Sequence, residues 1–477
     1  MRKIDVAAGV LFTVFMLLPG LSLAALGYSQ WAERPPRWNS IDYRALVASS
    51  DGYRRDTMAR ILTFSPVGMA SVFFKSYLDY RVFGFINSSK VISGRGDWLF
   101  FKSQFRDGKC LDPKDTARAL HRTVAMQDLA AGIGIDLRFS VSPDKSVVYP
   151  DQLGARAGAF AGCKQESAYR WRVLARTINP ELIDHYQAIA PYSRDQDLYF
   201  HTDTHWNPLG ISYAMRQLAM AYVGRQPPPP TKGHLKHASR STDLMRLLRI
   251  DDVENFQLLK GYWRGPFREA FEEKLSGTMI IHDSFYNAAR LPLKIMFGDY
   301  IGLNLNKKIK EGVWKKLPRR ILVNSVERGF FGRVLKSRFS WNSALGRAVV
   351  AHNMKAAAAC TGAPLDDVRL SRITETATGL LAKKNSQILF RLPEGGKPCF
   401  RISYKTDSKS PAQLFLPVRG NSGDGFEPGM SIDFTDVGSN RALAIVLPES
   451  YAGRTVRLDP IINPGKISGF KIRAGTM

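Results

Sequence analysis

Between Val91 and about Phe331, short apolar runs alternate with amphipathic stretches. Ile135–Val141, Leu198–Phe200, Thr278–Ile281 and Ile321–Val326 read as strands, with helical segments between them. That alternation predicts an α/β unit in which a parallel sheet is flanked by helices. Beyond roughly Ser340 the period shortens. Gln387–Leu392, Phe400–Tyr404, Gln413–Val418, Ser431–Phe434, Ala442–Leu447, Thr455–Leu458 and Ile467–Ile472 are rich in β-formers and punctuated by Gly, Pro and Asn. Seven short strands at this spacing predict an antiparallel β-sandwich module. The expected division is therefore 1–27, 28–339 and 340–477.

The first of these pieces is different in kind. Arg2 and Lys3 precede an uncharged apolar stretch from Val6 to Leu26, long enough for a hydrocarbon layer of about 30 Å. Pro19-Gly20 and the small-x-small triplet Ser22-Leu23-Ala24 also suit a cleaved signal peptide. Both readings export the chain, and they remain open alternatives. Four cysteines agree with an oxidising compartment, and the local pairing Cys110–Cys163 with Cys360–Cys399 closes one loop in each half. No CxxC spacing or histidine cluster indicates a metal, and no cofactor motif is evident.

Composition changes the picture in one respect. With 68 Lys and Arg against 42 Asp and Glu, the formal net charge of +26 attracts polyanions. Export and the lack of a nucleic-acid module argue against DNA or RNA and favour an acidic polysaccharide or an anionic membrane surface. The densest basic run spans Lys307 to Arg320, where a solvated face is the competing reading.

Candidate chemistry sits in two segments. In Thr202-Asp203-Thr204-His205-Trp206-Asn207-Pro208, Asp203 and His205 are two apart, so an extended segment points both side chains to one side. Asn207 and Pro208 then suit an N-cap and first position of a helix. In Gly277 to Asn287, the strand Thr278–Ile281 runs into His282-Asp283-Ser284-Phe285. Active sites of open parallel sheets collect at the carboxyl ends of strands, where Ser284 falls. Taken separately, Asp203, His205 and Ser284 all read equally well as helix caps.

Together the two segments resemble the periplasmic alginate O-acetyltransferase family (AlgJ/AlgX-like), whose catalytic domain is similar to SGNH hydrolases. Asp203-Thr204-His205-Trp206 looks like that family's Asp-x-His-Trp motif, and Asp283-Ser284-Phe285 like its nucleophile motif, with His282 in place of a glycine. Gly94 to Phe100 and Pro143-Asp144-Lys145 with Tyr149-Pro150 support the match. The resemblance implies an SGNH-like sheet and a catalytic set of Ser284, His205 and Asp203. It further implies acetyl transfer to an exopolysaccharide, a periplasmic location with possible anchoring to the inner membrane, and a membrane-bound acyltransferase as donor. Arg328, Trp206 and His282 are candidate substrate contacts, while Trp341, Tyr404, Phe415 and Phe426 are candidate sugar-stacking residues in the C-terminal module. An acetylesterase with the same residues and a noncatalytic polysaccharide-binding scaffold are the alternatives.

Overall fold

Strands at the centre of a parallel sheet are covered on both faces, and three segments of this chain are buried along most of their length. They are β3 (Asp136–Ser142), β7 (Thr278–His282) and β9 (Arg320–Val326), which form the centre of a five-stranded parallel sheet. The short strands β4 (Ile183–Asp184) and β8 (Ile301–Asn304) complete it in the order β4-β3-β9-β7-β8. This architecture comes from a computed structural model that describes residues 65–477 apart from short interruptions, with a few isolated positions near the N-terminus. The apolar stretch Val6–Leu26 and the spacer after it lie essentially outside the described residues, as does Trp341. Among the described residues, no helix is long and apolar enough to cross a membrane.

Three of the four expected strands are present, and Leu198–Phe200 is the exception. Its only pairing is an isolated antiparallel bridge between Tyr199 and Trp206. The run is apolar because it is buried, not because it joins the sheet: Leu198, Tyr199 and Phe200 pack in the core beneath a tight loop. Two hairpins also escape the periodicity. One joins β1 (Val91–Ser93) to β2 (Leu99–Phe101), and the other joins β5 (Leu235–Ser241) to β6 (Val253–Leu259). Among the described residues of the basic run from Lys307, the helical structure is a short 3₁₀ turn, Glu311–Lys315, which presents no long helical face.

The C-terminal module is a curled antiparallel sheet of nine strands, in which all seven expected strands appear together with Ala363–Pro364 and Val368–Thr376. The long strand Gly379–Arg391 pairs with Gly465–Thr476 by its first half and with Thr455–Asp459 by its second, which folds the ladder over on itself. The module is not a free appendage. Its core is continuous with one side of the parallel sheet through the helix Pro113–Gly132. Asn353 donates from Nδ2 to the carbonyls of both Leu129 and Val446, and Tyr451 donates to Asp128 at 2.6 Å. Gly132 lies so close to the module that a Cβ there would sit 2.2 Å from the Val446 carbonyl oxygen.

Both local disulfides form. Cys110–Cys163 ties the loop before the helix Pro113–Gly132 to the helix Ala155–Ile178, and Cys360–Cys399 ties the connector to the sandwich.

Candidate functional site

Ser284 opens a 3₁₀ turn, Ser284–Ala289, directly after β7. Asp283 builds this turn with both carboxylate oxygens. Oδ1 accepts from the Phe285 N–H, while Oδ2 accepts from the Val326 N–H at 2.7 Å and from Arg333 at 2.9 Å. The serine is thus fixed to the ends of two adjacent strands, with its hydroxyl at the carboxyl edge of the sheet.

The other half of the site comes from the loop 200–206. Its exit is the helix Pro208–Val223, capped by the Asn207 side chain, which accepts from the Gly210 N–H. A Cβ on Gly210 would lie 2.1 Å from the Leu198 carbonyl oxygen, so only glycine lets the helix start press against the loop's entry. The bridge between Tyr199 and Trp206 closes the loop, and the Phe200 N–H donates to the His205 carbonyl.

Across 79 residues of sequence, His205 Nε2 meets Ser284 Oγ at 2.9 Å. Its Nδ1 lies 2.7 Å from Asp203 Oδ1, which also accepts the His205 main-chain N–H. Asp203 is fully buried, and its Oδ2 accepts from Arg240 at 2.6 Å and from the Asp243 N–H at 3.1 Å. Burial by itself raises a carboxyl pKa, but the hydrogen bond and charge of His205, with the Arg240 guanidinium, outweigh it and hold Asp203 far below the usual range. Asp243 is the second carboxylate near the ring, with Oδ2 3.6 Å from Nδ1, outside hydrogen-bonding distance. Burial and the charge of Asp203 push its pKa up. By number, Asp203, His205 and Asp243 could surround a cation, but the positive charge placed among them is the fixed one of Arg240. A hydroxyl, an imidazole and a buried carboxylate in this order can generate a nucleophile and hold the resulting imidazolium.

The three weaker candidates fall differently. Trp206 is fully buried, with Nε1 donating to the Phe285 carbonyl and its ring packed edge-on against Phe285. It joins the loop to the serine turn and presents no face to a sugar. His282 is buried as well, with Nδ1 against the Asp283 carbonyl at 2.8 Å, and burial lowers its pKa. It packs at the strand end. Arg328 lies near the site, its guanidinium 5.9 Å from the centre of the Phe285 ring and paired with Asp144. Its neighbour Glu327 is no surface group, since it is buried between Lys164 and Arg172 and accepts from Trp171. In the C-terminal module, Tyr404 is buried and Phe415 is covered by Arg457, which leaves Phe426 as the partly exposed ring among the described candidates.

Sequence reasoning missed the groups that hold the loop. The Lys145 ammonium is fully buried and donates to the carbonyls of Phe200, His201 and Asp203 at 3.1, 2.8 and 2.8 Å. Its pKa is pushed down to about 8 by burial, against the pull of Glu254, Asp203, Asp243 and Asp97. His201 stacks on Trp98 at 4.3 Å and bonds Asp97 and Asp197 through its two nitrogens. Burial lowers its basicity, but those carboxylates more than reverse this and raise it to about 9. The Gly94–Phe100 and Pro143–Lys145 motifs therefore support the loop from behind, and Lys145 reaches the main chain of Asp203 itself. Pro143-Asp144-Lys145 was the signal that could have located the lysine.

Comparison with known proteins agrees with this frame. Residues 91–263 match the family described as the SGNH hydrolase-like domain of the acetyltransferase AlgX. The probable alginate O-acetylases AlgJ of Pseudomonas fluorescens and Pseudomonas syringae pv. tomato are 29% and 26% identical over 153 residues, 31% of this chain. The matched stretch spans 37% of those relatives' own length. Among solved structures, the O-acetyltransferase domain of Pseudomonas putida AlgJ overlays with a TM-score of 0.37 at 15% identity, covering 55% of this chain and 99% of that one. Pseudomonas aeruginosa AlgX overlays with a TM-score of 0.35 at 14% identity, covering 80% and 93%. Ser284 lies beyond the matched stretch, and its place beside His205 comes from the structure alone. Over residues 91–263 the chain thus matches the SGNH hydrolase-like domain of AlgX, and within that stretch the expected resemblance to the AlgJ/AlgX-like alginate O-acetyltransferases is found.

Proposed function

We propose that the protein is an O-acetyltransferase that places acetyl groups on hydroxyls of an exopolysaccharide through an acetyl-serine at Ser284. The observation that carries this reading is the continuous relay from Ser284 Oγ through His205 to buried Asp203. His205 takes the proton of Ser284 as the oxygen attacks an acetyl ester or thioester carbonyl, a form of assistance that contributes about 10²–10⁴ in rate. The oxyanion that forms collapses, and His205 passes its proton to the departing oxygen or sulfur, so the donor leaves as an alcohol or thiol and the imidazole is neutral again. In the second half, a sugar hydroxyl gives its proton to His205 and attacks the acetyl-serine, which returns Ser284 Oγ as the leaving group. Asp203 fixes the imidazole so that Nε2 faces the serine and balances the imidazolium in both halves. The Ser284 N–H serves as one oxyanion donor.

The names of the AlgJ relatives support a polysaccharide acceptor, and the charge of +26 favours an acidic one. The two disulfides and the apolar N-terminal stretch support action in the periplasm with anchoring to the inner membrane, and a membrane-bound acyltransferase as the acetyl source is what the family resemblance implies. The test uses the purified protein, a chromogenic acetyl ester and candidate oligosaccharides. Acetylated sugar that disappears in Ser284→Ala and His205→Ala supports the reading. Release of acetate alone, with every oligosaccharide left unmodified, identifies an esterase instead. Lack of His205-dependent labelling of Ser284 by a serine-directed phosphonate identifies a scaffold.

A further inference from the structure

The loop 200–205 must hold Asp203 and His205 to within a few tenths of an ångström, yet it belongs to no sheet and contains no helix. Beyond the internal bonds of Phe200 and His205, its main-chain polar groups are satisfied by side chains from elsewhere in the fold. On one side, the three protons of Lys145 Nζ are spent on three carbonyls of the loop, those of Phe200, His201 and Asp203. On the other, Glu254 accepts the His201 N–H at 2.5 Å through Oε1, and the Thr202 N–H and hydroxyl at 2.7 and 2.6 Å through Oε2. A cation thus binds the carbonyl edge of the segment and an anion binds its N–H edge.

The carboxylate is delivered by the hairpin of β5 and β6, which stands outside the parallel sheet. In its register Arg240 faces Glu254 directly. One cross-strand pair therefore supplies both the guanidinium on Asp203 and the carboxylate on the residues before it. Phe200 lies between them, with Arg240 over its ring at 4.5 Å and Phe256 against its edge. The residue after β5, Thr242, bonds the Thr202 hydroxyl, and Asp243 takes the Thr204 N–H at 2.7 Å. Lys145 comes from the opposite direction, immediately after β3, where it also sits above the rings of Trp98 and Phe100.

We propose that Lys145 and Glu254 form a two-sided clamp that sets the position of Asp203, so that both act as positioning residues for the relay without touching substrate. The clamp rests on the reading of Ser284, His205 and Asp203 as the reactive set, but its geometry can be tested apart from turnover. A folding role alone would reduce the number of competent molecules. A positioning role lowers the rate of each competent molecule and alters the bond between His205 and Asp203.

The full chain carrying Glu254→Gln, and separately Lys145→Met, is compared with wild type by two measurements. The first is the acetyl-ester turnover rate divided by the number of sites that a serine-directed phosphonate labels. The second is the proton resonance of His205 Nδ1–H in protein labelled at histidine nitrogen. The expected result is a fall of roughly 10- to 100-fold in per-site kcat with KM within about twofold, together with an upfield shift or loss of that resonance. Per-site kcat and the resonance both unchanged in Glu254→Gln, with fewer labelled sites in Lys145→Met, overturns the clamp and leaves a folding role. If wild-type protein shows no turnover and no labelling, the enzyme reading has failed. The clamp then stands or falls on the resonance alone, which needs only Asp203 and His205.

Discussion

Two carboxylates approach the same imidazole, and the structure ranks them. Asp203 Oδ1 is 2.7 Å from His205 Nδ1, and the side chain is completely buried with four donors aimed at it. Asp243 Oδ2 is 3.6 Å away on a side chain that retains 27% of its exposure. Asp203→Asn preserves shape but replaces an acceptor-only group by one that must point an NH₂ at some of those four donors. The imidazole then loses the acceptor that selects its tautomer. Removing the orienting carboxylate of such a relay lowers turnover by about 10³–10⁴-fold, or about 4–5.5 kcal/mol in the barrier. Asp243→Asn keeps an oxygen for the Thr204 N–H and removes only a partly screened charge beyond hydrogen-bonding distance. Its loss is expected to stay below about tenfold. The assay is kcat/KM for acetyl-ester cleavage by each variant, with circular dichroism to confirm folding. A loss for Asp243→Asn equal to that for Asp203→Asn, or a loss below tenfold for Asp203→Asn, would refute the assignment of Asp203 as the orienting group.

Two further outcomes follow from packing and burial. Gly210→Ala places a Cβ 2.1 Å from the Leu198 carbonyl oxygen, so the helix start must withdraw from the loop. A destabilisation of about 1–3 kcal/mol in urea unfolding is expected, with kcat falling in the same variant. A destabilisation below about 0.5 kcal/mol with full activity would show that the close approach is dispensable. His185 is buried between Gln217 and Tyr286, and burial lowers its pKa to about 4 from 6.5, against the Gln217 hydrogen bond. The unfolded chain therefore binds a proton between pH 6.5 and 4 that the folded chain refuses, so stability falls as pH drops through that window. The full loss is about 3 kcal/mol, and unfolding midpoints at pH 6.5 and 4 should converge in His185→Gln.

How far a sequence exposes a fold depends on whether the determining contacts leave a local period. β7 and β9 do so because burial on both faces favours apolar runs such as Met279–Ile281 and Ile321–Val323, and β3 does so through the alternation of Leu137, Phe139 and Val141 with more polar positions. The strands of the sandwich do so because one buried face imposes alternation, as the buried-exposed pattern of Pro398–Thr406 shows. Leu198–Phe200 satisfied the same apolar criterion for another reason, burial beneath a loop, and periodicity carries no information that separates the two. β4 has two residues and β8 four, too few for any period. β5 is mostly polar and β6 mixes Val253, Phe256, Leu258 and Leu259 with Glu254, Asn255 and Gln257, so neither shows a clean period, and Arg240 and Glu254 reach the loop.

The site divides along the same line. Asp203, His205 and Ser284 could be picked out as candidates because a relay requires particular residue types and two of the three lie two positions apart on one loop, and the fold brings their side chains within hydrogen-bonding distance. Trp206 and His282 sat beside them in sequence, but position in a motif does not distinguish a residue that faces the reaction from one that packs behind it. Their partners separate them: Trp206 Nε1 and His282 Nδ1 face the main-chain carbonyls of Phe285 and Asp283, whereas Asp203 and His205 bond each other and Ser284. Lys145, Arg240 and Glu254 show the converse. They lie between 37 and 58 residues from the groups they hold, and a lone Lys, Arg or Glu in a chain with 68 basic and 42 acidic residues has nothing local to mark it. What marks them is a property of the fold, namely that loop carbonyls and N–H groups taken out of water must find partners. A loop that carries chemistry without belonging to a sheet obtains them from side chains, and these are the residues whose removal is expected to misplace Asp203.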